Sequence, residues 1–218
     1  MSVICLTSAY LAPVSYFEWI VESGEILMEQ WDSYEKQSYR NRCIIATANG
    51  KLALSIPIEK SSNPKPLTRD VQVSNHLDWQ MQHWRAIESA YNSSPFFEFY
   101  KDDFIPLYEK KWKFLWDFNH EIQLKVFELL EIQPKIVLTT EFNLELSENV
   151  LDLRKCIHPK NDLKINTQLS YYQVFENKFG FTPDLSIIDL LFNMGNEAQL
   201  VLNNKEKKNI FYGTDRLE

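Results

Sequence analysis

Residues 3–31 read VICLTSAYLAPVSYFEWIVESGEILMEQW, and this stretch decides the fold class. Residues 3–7 form a short apolar, β-branched run that reads as a buried strand. SAYLAP breaks the run, and Pro13 takes the first position of a helix, PVSYFEWIVES, that stops at Gly24. EILMEQW returns to strand character. Strand, loop, helix and strand in that order are the signature of an α/β unit.

The next segment, residues 34–43, is YEKQSYRNRC: Lys36, Arg40 and Arg42 interleaved with hydroxyls and amides. It leads into CIIATANGKLALSIPI, where Asn49-Gly50 between two β-rich runs predicts a hairpin spanning about residues 42–58. Arg40 and Arg42 are two apart at the mouth of the first strand, which would put them on one face. A polar, two-proline loop follows, then a short VQVSN strand. A helix begins after Asp78 or Ser74, on which Gln80, His83, Trp84, Ile87 and Tyr91 make a single stripe. Pro95 and Pro106 suggest short helical turns across residues 93–110. A long amphipathic helix follows, with Trp112, Leu115, Trp116, Ile122, Val126, Leu129 and Leu130 on its apolar side, ending before Pro134. KIVLTT is another strand. Residues 141–170 are polar and weakly patterned, and LDLRKCIHP within them has no assignable type. FTPDLSIIDLLFNMG reads as a closing helix with Thr182 as cap, Pro183 in first position and Gly195 as its stop. The fold expected is one α/β domain over residues 1–203, a small mixed sheet containing the hairpin with flanking helices. Residues 204–218 read as a charged tail.

Composition narrows the function. With 218 residues, 44% hydrophobic and 24% charged, the chain can bury a sizeable core. A formal net charge of −7 opposes general nucleic-acid binding, which draws on phosphate neutralisation. Five glycines, with neither GxGxxG nor GxxxxGK[ST], argue against a dinucleotide or P-loop cofactor. Cys5, Cys43 and Cys156 are odd in number and widely spaced, so neither a disulfide framework nor a zinc site is expected, and no metal or other cofactor is implied. No apolar run approaches the roughly 20 residues that span a bilayer. MSVICLTSAYLAP lacks the charged start of a signal peptide, and a cytoplasmic location is expected.

Three groups of residues are candidates for chemistry. Lys36, Arg40 and Arg42, helped by Ser38 and Asn41, could clamp a phosphate or carboxylate, or could decorate a solvated strand edge through pairs with Glu35 and Asp32. His83 could serve as a general acid–base, or be a histidine satisfied within its helix packing. Ser186, Asp189 and Asn193 form one polar line on an otherwise apolar helix, facing either a pocket or solvent.

AYLAPVSYF, DSYEKQSYRNRCIIATANGKLALSIPI, HWRAIESAYNSSPFFEFY and FTPDLSIIDLLFNMG, in this order, resemble successive blocks of the WbqC-like proteins. Here Ser8-Ala9 replaces a Gln-Pro pair, and Ser15 stands where a glycine is usual. Carried over residue by residue, Tyr10, Pro13 and Tyr16 match the first block, and Lys36, Ser38, Arg40, Asn41 and Arg42 the second. His83, Tyr91 and Phe96 match the third, and Leu185, Ser186, Asp189 and Gly195 the last. The resemblance implies a bacterial role in surface polysaccharide (O-antigen type) biosynthesis as a transferase-like protein. Acyl or aminoacyl transfer to an amino sugar is one form this would take, and a non-catalytic binding or assembly protein is the alternative. The expected partner is a small anionic substrate such as a nucleotide sugar, with His83 as acid–base group and Tyr10, Tyr16, Tyr91, Ser186 and Asp189 lining the same cleft as the arginines. Oligomeric state is not indicated.

Overall fold

The structure, a computed structural model, describes residues 2–160 and 169–203. The expected charged tail lies outside the described residues. Strand β1 (Val3–Thr7), helix α1 (Val14–Glu22) and strand β2 (Glu25–Glu29) form the α/β unit that opens the chain, with β1 and β2 parallel. Ile4, Cys5 and Leu6 are buried because β1 has a strand on each side and packing on both faces.

Strands β3 (Arg42–Thr47) and β4 (Gly50–Ser55) make the hairpin; Gly50 supplies its turn with a φ of 101°. The hairpin stands apart from the parallel strands as its own two-stranded ladder. Helices α2 (Trp79–Tyr91), α3 (Phe97–Glu109) and α4 (Leu115–Leu129) follow, then strands β5 (Ile136–Leu138) and β6 (Val150–Asp152). Short helix α5 (Glu176–Phe179) precedes α6 (Ile187–Met194) and α7 (Ala198–Leu202). The parallel sheet has the order β5-β2-β1-β6, so all four strands end on one edge, at Leu138, Glu29, Thr7 and Asp152.

Several local expectations change. The untyped LDLRK segment supplies β6, which pairs with β1 from Val3↔Val150 to Cys5↔Asp152. VQVSN makes only isolated bridges, Val73 with Ile58 and Gln72 with Phe114. The segment around Pro106 is one continuous helix, because Phe104 and Tyr108 bury the same face on either side of the proline. Asp102, whose carbonyl loses its amide partner there, is exposed to water. Helix α6 begins after Ser186 and not at Pro183. Asp184, in the left-handed region at φ 56°, turns the chain so that its carboxylate accepts the Ser15 N–H at 2.9 Å in the first turn of α1.

The helices enclose an aromatic core. Tyr91, Phe97 and Phe104 each present an edge to Phe192, with ring centroids 5.2–5.6 Å apart. Gly195 closes α6 at φ 55°, and a Cβ there would lie 2.7 Å from the Phe96 ring. This packing fixes α6 against α3 and α1 and leaves the carboxyl edge of the sheet to loops.

Candidate functional site

The carboxyl ends of parallel strands cannot satisfy one another across the crevice where successive strands depart to opposite sides of a first strand, and ligands of open α/β sheets bind there. In this sheet that crevice lies beside β1, whose neighbours β2 and β6 leave in opposite directions. A cleft of about 440 Å³ opens near it, lined by Trp31, Asp32, Ser33, Glu35, Arg40, Phe142, Leu144, Asp152, Arg154 and Lys155. Three carboxylates and three cations thus line it.

The charges are held from below. Arg154 grips Asp152 through Nε and Nη2, at 2.9 and 2.6 Å, as a two-pronged fork. Its Nη1 donates to Glu29 Oε2 at 3.4 Å and to the Asn143 carbonyl at 2.9 Å. Glu29, the last residue of β2, is fully buried and also accepts from the Trp31 amide and the Thr139 hydroxyl. Burial works to raise the Asp152 carboxyl, but Arg154 outweighs it and holds the group below its ordinary value; Asp152 in turn raises Arg154. On the other side, Asp32 accepts from Arg40 Nη2 and from the Thr68 hydroxyl at 2.5 Å. The Arg40 carbonyl accepts from Asn119, which also reaches Ser8 just past β1, so the Arg40 backbone is tied to the strand edge. Two cation–aromatic contacts complete the walls: Arg69 over Trp31 at 4.3 Å and Arg154 over Phe142 at 5.1 Å.

Of the residues singled out in the sequence, Arg40 is the one that lines this cleft, and Ser38 supports its loop by donating to the Glu35 carbonyl at 2.7 Å. Arg40 and Arg42 do not share a strand face. Arg40 sits in a turn before β3, reversed by Gln37 at φ 61°, whereas Arg42 is the first strand residue and donates to Ser55 on the hairpin surface at 3.1 Å. Lys36 is exposed, and Asn41 donates to the Ile56 carbonyl at 2.9 Å.

His83 and Tyr10 lie elsewhere, inside the core. The Tyr10 hydroxyl bridges His83 Nδ1 at 3.0 Å and the Tyr108 hydroxyl at 2.8 Å, while Trp79 packs edge-on against the imidazole. Burial pulls His83 down to about 4, with the Ser55 carbonyl opposing it, so the ring is neutral near pH 7. Tyr16 donates to the Thr7 carbonyl at 2.9 Å. Tyr91 and Asp189 belong to a second buried network: Asp189 accepts from Tyr91, Tyr171 and Gln173 at 2.8–2.9 Å. Ser186 donates to the Leu11 carbonyl at 2.8 Å. The polar line of α6 is therefore neither a wet face nor a wall of the charged cleft.

Sequence reasoning missed Glu29, Asp152 and Arg154. The available signal was Asp152-x-Arg154 directly after the apolar pair Val150-Leu151, a spacing that lets one side chain fork onto the other. Burial pushes the Cys5 thiol up to about 12 and raises Cys43 and Cys156 as well, which leaves no activated thiolate. No group of His, Cys, Asp and Glu able to hold a metal ion is found among the described residues. No helix among them is long and apolar enough to cross a membrane.

These features define a class: a single-domain α/β protein with a mixed-charge cleft at the carboxyl edge of a parallel sheet. The chain belongs to the WbqC-like protein family, which matches residues 8–168. That span contains every residue lining the cleft and stops before α6. The chain is also similar to uncharacterized protein Rv1507c of Mycobacterium tuberculosis, with 26% identity across 90% of this chain and 95% of the relative. No solved structure matches significantly.

Proposed function

We propose that the cleft at the carboxyl edge binds a nucleotide sugar or a similar anionic intermediate of bacterial surface polysaccharide synthesis, and that the protein acts on it as a transferase. One observation carries this reading: Arg40 and Arg154, both buried at the base, line a cleft large enough for a small molecule beside the walls of Trp31 and Phe142. The lining is balanced, with Asp32, Glu35 and Asp152 against Arg40, Arg154 and Lys155. A simple phosphate trap would be cationic. Balanced charge suits a ligand that brings an anionic group together with hydroxyls or an amine, as a nucleotide-linked amino sugar does: guanidinium groups take the anion and carboxylates take the O–H and N–H donors. Trp31 and Phe142 offer apolar faces for a sugar or base. Acyl or aminoacyl transfer to that amine is the chemistry that the family resemblance implies.

The binding site in this proposal differs from the one expected from sequence. Arg154 replaces Arg42 as the second guanidinium, and His83 stabilises the core. A thermal-shift screen of nucleotide sugars and acyl or aminoacyl donors tests the proposal, since a true ligand raises the melting temperature by mass action. Stabilisation by a nucleotide amino sugar that vanishes in Arg40→Lys would support it. Stabilisation by none of the set would end it.

A further inference from the structure

We propose that the Glu35 carboxylate occupies the seat of a ligand anion and competes with it from within the chain. The inference rests on the reading of the cleft as the substrate site and identifies the chemistry of one subsite: a phosphate or carboxylate held between Arg40 and His158.

Glu35 lies between two cation-forming side chains without bonding well to either. Its Oε1 is 3.8 Å from His158 Nε2, and its Oε2 is 4.0 Å from Arg40 Nη1. Both separations exceed hydrogen-bond length. The donors are enclosed, with side-chain exposures of 7% for Arg40 and 13% for His158, whereas Glu35 is 59% exposed. Both also carry unmet capacity: His158 Nε2 is buried without a hydrogen-bond partner, and Arg40 Nη1 has only a long 3.4 Å bond to the Ser38 hydroxyl, with Nε of the same guanidinium buried and unpartnered. Buried donors left unpaired are costly, and a pair of them beside one cleft is a place prepared for an acceptor that the resting protein fills poorly.

The orientation of His158 is set. Its Nδ1 accepts the Lys160 amide at 3.1 Å, which assigns the proton of the neutral ring to Nε2, the atom facing Glu35. Arg40 is fixed by Asp32 and the backbone. Glu35 is on the exposed part of its loop, next to Lys36 and Gln37, and the left-handed Gln37 ends that part before the buried Ser38. A tetrahedral phosphate or a planar carboxylate can approach both donors to normal hydrogen-bond length. Glu35 would then swing into water, where its carboxylate is already mostly solvated. The long contacts it gives up are of the weakly held, solvent-screened kind.

The test uses the full chain and inorganic pyrophosphate as probe, titrated calorimetrically at fixed ionic strength. Wild type is compared with Glu35→Gln, His158→Gln and Glu98→Gln. The last removes one negative charge from an exposed pair with Lys101 on α3, far in the chain from the cleft, and controls for net charge. Removing the internal competitor is expected to tighten pyrophosphate about tenfold in Glu35→Gln, the scale of one charge-assisted hydrogen bond. His158→Gln is expected to weaken it by about the same factor, and Glu98→Gln to match wild type. Glu35→Gln binding no tighter than Glu98→Gln, or no pyrophosphate binding in any variant, would overturn the proposal. Because Glu35 is exposed, its variant should fold, and a wild-type melting temperature checks this. If Glu35→Gln gains pyrophosphate affinity while no nucleotide sugar stabilises either protein, the anion seat stands and the substrate class proposed above is wrong. If nucleotide sugars bind but Glu35→Gln changes nothing, the substrate reading stands and the seat lies elsewhere.

Discussion

Asp189 and Asp32 are both buried carboxylates ringed by hydrogen-bond donors, but Asp189 is locked in the core and Asp32 forms part of a cleft wall. Asp189 receives three neutral donors, Tyr91, Tyr171 and Gln173, and no cation. Burial therefore raises its carboxyl to about 6, the three donors pulling the other way. Asp32 instead faces the Arg40 guanidinium and the Thr68 hydroxyl, with open volume in front. Enclosed neutral networks specify packing. Paired charges bordering empty space are poised to exchange partners with a ligand. What separates a structural polar cluster from a functional one here is the adjacent volume and the presence of counter-charge, and neither is visible in residue type.

Arg154→Ala leaves fully buried Glu29 without its cation and should cost about 3–5 kcal/mol in urea denaturation, as removal of one partner of a buried pair does. A loss below about 1 kcal/mol would mean that solvent already reaches Glu29.

On the enclosed side, Asp189→Ala strands three donors and should cost about 3 kcal/mol, with no selective effect on ligand binding. The folded Asp189 carboxyl holds its proton more tightly than the unfolded one, from 3.8 to about 6. Its contribution to stability is thus complete below the unfolded value and lost as pH rises through about 6. Denaturation midpoints measured across this window should fall less steeply with rising pH in Asp189→Asn than in wild type. Identical slopes would contradict the assignment.

Gly195→Ala should cost about 1–2 kcal/mol, from the positive φ and the close Phe96 ring. Phe96 is 37% exposed and can move aside, which keeps the figure at this level. The smallest effect is expected at Arg42: Arg42→Ala should change stability by no more than about 0.5 kcal/mol, because its bond to Ser55 is at the surface. Its ligand affinity should equal wild type. A strong binding defect in Arg42→Ala would move the anion site to the hairpin.

The sequence carried the first α/β unit, the hairpin and the α2 stripe because each is marked by local signals: a proline at a helix start, Asn49-Gly50 at a tight turn, and apolar steps of three and four. Strand β6 escaped because a three-residue strand has no period to detect; it exists only through its register with β1. Helix α6 was found but its start was misplaced, since Ser186 bonds across to Leu11 and Asp184 caps another helix. In the arginine-rich segment, the turn at Gln37 separates Arg40 from Arg42 in a way that strand alternation does not foresee. His83 had the chemistry of a catalytic group. Burial beneath Tyr10 and Trp79 is a tertiary fact.

The most direct test of the account maps where a ligand touches the protein. The nucleotide sugar that stabilises the chain most in the thermal screen would be titrated into 15N-labelled protein, following backbone amide shifts. The cleft account predicts that the largest changes fall on Trp31, Asp32, Glu35, Arg40, Asp152, Arg154 and Lys155, with Tyr10, His83, Tyr91 and Asp189 unmoved. Changes centred on His83 and Tyr10, or on the Asp189 network, would contradict it.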